Sequence, residues 1–239
     1  MRNSEQAKHL SRFFKTGKGE YGEGDLFLGI RVPQTRRVVK DYRFSLSLDE
    51  ISGLLSSEWH EIRLAGFLLL VEEMKAAVPG KKHQLTDMAD RREELARFYI
   101  RNAEKANNWD LVDLTCQYIL GPWLSYPDRN GNPLARSILL DLSESNNLWT
   151  QRISIVTTLY FIRNGEFEEA LELSRLLLKH PHDLIHKAVG WILREVGKRD
   201  IELLRNFLDD HFSEMARTTL RYAIEKMSPQ ERACWLKRE

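Results

Sequence analysis

The sequence predicts an all-α fold: an α-α superhelix of HEAT-like or armadillo-like repeats with a concave inner face. Three observations predict it. Almost every long segment places apolar residues at the helical period. Prolines fall mostly between those segments. Several of the helical segments share one pattern at repeat-like spacing. No run of alternating β-branched residues stands out, so no sheet is expected.

The segment 60–78, HEIRLAGFLLLVEEMKAAV, shows the period well. Ile62, Ala65, Leu69 and Met74 recur near it, with Glu61, Glu72 and Lys75 at polar positions. The same reading covers 94–106, 109–120, 148–163, 166–179, 183–197, 200–211 and 214–227. Pro79, Pro127, Pro133, Pro181 and Pro229 each follow or open such a stretch, and PDRNGNP (127–133) is the clearest turn. The nonapeptides RLAGFLLLV (63–71), RISIVTTLY (152–160), KAVGWILRE (187–195) and RTTLRYAIE (217–225) rhyme: each opens with a cation and continues through small and apolar residues. One helix pair cannot bury its apolar face alone, whereas stacked pairs form a continuous core and expose an inner surface.

The bulk composition excludes several classes. With 239 residues, 42% apolar and 30% charged, the chain suits a globular protein with a sizeable core. No apolar run approaches the roughly 20 residues of a membrane span. The N-terminus MRNSEQAKHLSRFF is too polar for a secretory signal. Cys116 and Cys234 make no disulfide framework and read as thiols of a reduced cytoplasm. The net charge of +1 is unevenly spread: residues 1–45 hold ten Lys/Arg against five Asp/Glu, 46–178 hold 14 against 20, and 179–239 hold 12 against 10. A nucleic-acid partner fits only if basic groups gather on one face.

The recurring cation at the head of the rhyming segments has two readings. It pairs with a nearby carboxylate, or equivalent positions follow a phosphate backbone. A cation at a helix N-terminus opposes the dipole at a cost of a few tenths of a kcal/mol, which mildly favours the second.

Three clusters carry chemistry. In NNWDLVDL (107–114), Asn107 or Asn108 can cap a helix, and Trp109 and Asp113 share one face four residues apart. An aromatic ring beside a partly desolvated carboxylate suits a cationic ligand. The alternative is a core Trp and an Asp paired with an Arg. In NLWTQRIS (147–154), Arg152 can partner Asp113 or clamp a phosphate. In LIHKAVGWILREVGKR (184–199), Lys187 and Trp191 share a face, and Gly190 permits close approach of a helix or a ligand backbone. Packing is the alternative for Trp191. There is no Walker A loop, dinucleotide-binding glycine motif or nucleophile elbow, and His60, His180, His182, His186 and His211 show no metal-ligand spacing. No cofactor is expected.

These residues resemble the AlkD-type DNA alkylation repair proteins, the HEAT-like-repeat alkylpurine DNA glycosylases. The resemblance spans roughly 10–227 and is carried by FLGIRVPQTRR (27–37), NNWDLVD (107–113), NLWTQRISIV (147–156), DLIHKAVGWILREVGKRD (183–200) and RTTLRYAIEK (217–226). It implies a single domain over 1–239, with a variable loop about 17–26. It implies that Trp109 and Trp191 flank the lesion's deoxyribose, that Asp113 is the catalytic carboxylate, and that Arg152 binds backbone near the lesion. Lys187, Arg194, Arg217 and Arg221 are expected to bind DNA beside it. The implied activity is excision of cationic N3- or N7-alkylated purines from duplex DNA without flipping the base into a pocket. The implied protein is a cytoplasmic monomer that needs no protein partner. The Gly-rich, acidic stretch GKGEYGEGDL (17–26) falls where family members differ. A relative that binds damaged or branched DNA without excision is the alternative, and a solenoid scaffold for a protein partner is a third reading.

Overall fold

The computed structural model describes residues 2–80 and 82–238. They form two compact units, Met1–Leu134 and Ala135–Glu239. Both are helical. Among the described residues, extended pairing is limited to one isolated bridge between Leu26 and Trp59.

The first unit runs through α1 (Ser4–Phe13), α2 (Val32–Tyr42), α3 (Leu48–Leu55), α4 (His60–Ala77), α5 (Ala89–Arg101), a 3-10 turn at Ala103–Lys105, α6 (Trp109–Asp113) and α7 (Cys116–Ser125). Its axis is α4, which packs against α2, α3, α5 and α7. Leu64, Phe67, Leu68, Leu70, Val71 and Met74 are buried around nearly the whole circumference of α4, as expected of a helix enclosed by others. Three helix starts have side-chain caps. Asn3 accepts from Gln6 N, Ser47 forms a capping box with Glu50, and Asn108 accepts from Trp109 N. The buried guanidinium of Arg92 donates to the carbonyls of Ala77 (3.0 Å), Leu85 (2.8 Å) and Pro127 (3.2 Å), fixing two loops against α5.

The second unit contains α8 (Ile138–Ser143), α9 (Leu148–Thr157), α10 (Leu159–Arg163), α11 (Glu168–Leu177), α12 (Asp183–Gly197), α13 (Ile201–His211), a 3-10 turn at Phe212–Glu214, α14 (Arg217–Ala223) and α15 (Pro229–Lys237). Here α12 is central and packs on α9, α11, α13 and α14. Gly190 is the point of closest approach. A Cβ there would meet the Thr219 carbonyl and Tyr222 Cβ, each at 2.5 Å, so the missing side chain serves the packing of α14 against α12. Of the two uses foreseen for this glycine, the neighbouring helix occupies the space.

The observed helices refine the sequence-based boundaries. Helix α5 starts at Ala89, five residues before the expected start, after Met88 takes a left-handed conformation (φ 58°). The stretch 109–120 divides into α6 and α7 at Thr115, whose hydroxyl bonds the Leu111 carbonyl and so competes with the helical ladder. The stretch 148–163 likewise breaks at Thr158, whose hydroxyl takes the Ile155 carbonyl at 2.6 Å. The 127–133 loop is as expected, built on Asp128, whose Oδ1 accepts from the backbone N–H groups of Asn130 and Asn132.

Candidate active site

Helix α6 is five residues long and presents two kinds of face. Asp110, Leu111 and Val112 are buried, whereas Trp109 and Asp113 are half-buried at the surface boundary. The four-residue spacing places both at one edge of the helix. The Trp109 ring packs edge-on against Phe13 (5.8 Å between centroids) and at a tilt against Phe14 (5.2 Å). Phe13 is 55% exposed, so the aromatic surface extends outward from Trp109. The Asp113 carbonyl accepts from Gln117 Nε2 at 2.8 Å, bridging the break between α6 and α7.

Beneath α6 lies a buried polar network. The His60 ring, 1% exposed, reaches Asp25 Oδ2 through Nδ1 at 2.7 Å and Asp110 Oδ2 through Nε2 at 2.9 Å. Arg63 pairs with the other oxygen of Asp25 and donates to Asn107 Oδ1 (2.9 Å) and the Ser57 carbonyl (2.8 Å). Phe27 stacks on His60 at 4.5 Å, and Phe14 lies 5.1 Å away. Burial opposes charge on His60, but its bonds to Asp110 and Asp25 and their negative charge outweigh that, and its pKa is pushed up to about 9. Burial alone would raise Asp25. The hydrogen bond and charge of His60, with Arg63, hold it below the ordinary carboxylate value instead.

The neighbouring Glu61 anchors the FLGIR segment. Its carboxylate accepts three backbone N–H groups, from Leu28 (2.9 Å), Gly29 (2.8 Å) and Ile30 (3.0 Å). Gly29 has φ 81°, and a Cβ there would sit 2.0 Å from the Asn3 carbonyl, so only glycine fits. The Gly-rich stretch before it is also built in. Gly22 packs under the Phe14 carbonyl and beside Asn108, and Asp25 supplies the carboxylate shared by His60 and Arg63.

The remaining residues singled out in the sequence lie in the second unit. Arg152 is only 5% exposed and donates to the Leu184 carbonyl at 2.6 Å, near the start of α12. On α12, Lys187 pairs with Asp183 at 2.7 Å, Trp191 is half-buried, and Arg194 pairs with Glu225 and lies 3.6 Å from Glu195. On α14, Arg217 and Arg221 are exposed, and Arg217 donates to the Leu236 carbonyl at 2.8 Å. The recurring cation thus takes the structural reading at Arg63, which is buried in an ion pair. At Lys187 the cation is bridged to a carboxylate one turn away but stays accessible.

Sequence reasoning missed Phe13 and Phe14 as neighbours of Trp109, and Asp25 and His60 as the buried partners reached through Asp110. One signal was available. His60, Glu61 and Arg63 are three polar residues crowded at the head of a helix, just before the uninterrupted apolar run 64–71, a pattern that calls for buried partners.

Among the described residues, no group of three or more His, Cys, Asp or Glu is placed to hold a metal ion, and no helix is long and apolar enough to cross a membrane. Cys116 is buried and Cys234 exposed.

Comparison with known proteins agrees with this framework. No curated protein matches the chain. A solved structure described as a predicted DNA alkylation repair enzyme from Enterococcus faecalis superposes with a TM-score of 0.66 at 14% identity, over 96% of this chain and 98% of the other. At that identity the likeness establishes a shared fold. The profile of the family described as DNA alkylation repair enzyme matches residues 1–227, and the chain therefore belongs to the DNA alkylation repair enzyme family.

Proposed function

We propose that this protein is a monofunctional DNA glycosylase that hydrolyses the N-glycosidic bond of cationic N3- or N7-alkylated purines in duplex DNA. The observation that carries the reading is the pairing of Trp109 and Asp113 at one edge of α6, both at the surface boundary, in a member of an alkylation repair family.

The chemistry follows from the charge of the lesion. A purine alkylated at N3 or N7 is positively charged, so it leaves with the electron pair of the C1′–N bond and becomes neutral. It needs no protonation, and the site needs no general acid. The sugar develops oxocarbenium character as the bond breaks. Asp113 stabilises that charge and orients the water whose oxygen forms the new bond to C1′, the water's proton passing to the carboxylate or to solvent. The Trp109 ring adds cation–π attraction, and Trp191 is assigned the same task. Lys187, Arg194, Arg217 and Arg221 are assigned to phosphates, which gives affinity that depends on salt rather than on sequence. Arg152 is assigned to the backbone near the lesion. The protein acts as a monomer in the cytosol, without cofactor or protein partner, and does not flip the base into a pocket.

Incubation with duplex DNA carrying N7-methylguanine tests the proposal. Free N7-methylguanine released from the duplex supports it. Tight binding of the same duplex with no base released would instead identify a non-catalytic binder of damaged or branched DNA.

A further inference from the structure

Helix α6 carries both first-unit residues of the proposed site, yet five residues make little more than one turn, too short for stability of its own. Its pose is imposed by neighbouring groups, and these converge on one side chain. Asp110, which directly follows Trp109, bonds His60 Nε2 at 2.9 Å. Asn107, two residues before Trp109, accepts from Arg63, and Arg63 is tied to Asp25, which also holds His60 Nδ1 at 2.7 Å. The Trp109 ring leans on Phe14, whose ring lies 5.1 Å from that of His60. Both the backbone and the ring of Trp109 are thus traced to His60. Both ring nitrogens face carboxylates, and only an imidazolium can donate to the two at once. A neutral ring would turn a lone pair toward one of them.

We propose that His60, held as an imidazolium between Asp25 and Asp110, is the positioning residue that sets the pose of Trp109 in the site. The proposal rests on the reading of Trp109 and Asp113 as the place of reaction. His60 is faced by Asp25 from the segment before α2 and by Asp110 from α6, and Arg63 of its own helix acts through Asp25. The uncharged rings of Phe14, at the C-cap of α1, and of Phe27 cover it. The cations assigned to phosphate lie in the other unit, so losing His60 leaves them in place.

The test uses full-length protein labelled with fluorotryptophan, whose Trp109 fluorine resonance is identified by its disappearance in Trp109→Phe. In the wild type this resonance shifts with pH, with a midpoint near 9. In Asp110→Asn, which removes one of the two charges, the midpoint moves down. In His60→Gln the resonance is displaced and no longer titrates. Single-turnover release of N7-methylguanine by that variant falls on the order of tenfold to a hundredfold, while affinity for undamaged duplex stays within about twofold. A Trp109 resonance that ignores pH in the folded wild type overturns the proposal. So does a folded His60→Gln with unchanged resonance and release. If His60→Gln does not fold, the wild-type and Asp110→Asn titrations decide the matter. If the resonance behaves as described but the wild type releases no base, the glycosylase reading fails and the positioning role stands.

Discussion

His60 Nε2 stands 2.9 Å from Asp110 Oδ2, and Asp110 is the residue that follows Trp109. The proposed reaction edge of α6 is therefore bolted, on its buried side, to the first turn of α4. This contact has a pH signature in stability. The pKa of His60 is raised from 6.5 to about 9, so its contribution is fully present below 6.5 and is lost as pH rises through about 9. That of Asp25 is lowered from 3.8, so its contribution is present above 3.8 and is lost as pH falls through its folded value. Thermal unfolding followed by circular dichroism should show the melting point dropping on the alkaline side more steeply in the wild type than in His60→Gln. Parallel alkaline limbs for the two proteins would contradict the linkage.

Gly190→Ala should destabilise the second unit although alanine is the better helix former. The gain in propensity is about 1 kcal/mol, whereas the new methyl group would press into Thr219 O and Tyr222 Cβ at 2.5 Å, and overpacking of this kind costs about 1–3 kcal/mol. Backbone is the obstacle at Thr219, so relaxation is limited. Urea unfolding that shows a more stable variant would refute the close approach of α12 and α14.

Arg152 and Arg221 are expected to behave differently. Arg152 is buried and bonds the Leu184 carbonyl, so Arg152→Ala should lower stability by about 1–3 kcal/mol through loss of that charged hydrogen bond and of the buried side chain's packing. Arg221 is exposed on α14, so Arg221→Ala should leave the melting point unchanged. It should weaken binding to lesion and undamaged duplex alike and reduce the salt slope of affinity by about 1. Unchanged DNA affinity in Arg221→Ala would remove that residue from the interface.

Glu61 holds three consecutive backbone N–H groups of the segment 28–30. Charged acceptors of this kind contribute about 1.5–3 kcal/mol per bond, so Glu61→Ala should cost at least about 2 kcal/mol and loosen the start of α2. Faster amide hydrogen exchange at Leu28, Gly29 and Ile30 is the specific readout. Exchange rates equal to those of the wild type would show that the carboxylate is dispensable.

The helical class and the two central helices were legible because α4 is a long apolar segment and α12 has a strong helical period. The breaks at Thr115 and Thr158 were not, because each depends on a hydroxyl taking a carbonyl from the ladder, a choice that period cannot reveal. On the site, the spacing of Trp109 and Asp113 was readable as one helix face. Their support was not. Asp25 and His60 are 35 residues apart, and Asp110 is a further 50 along the chain. Nothing local links them, and the stretch 17–26, which read as a variable loop, contains the buried Asp25. Burial of Arg152 was equally hidden, since an arginine beside small and apolar residues reads the same whether its side chain is enclosed or exposed.

Single-turnover release of N7-methylguanine from duplex DNA, comparing the wild type with Asp113→Asn, tests the central claim most directly. The account predicts release by the wild type and a loss of at least about a hundredfold in the variant, an electrostatic contribution of the size expected for a charge placed at a developing cation, with duplex affinity retained. Release at equal rates by the two proteins, or none from the wild type on DNA it binds, would contradict it.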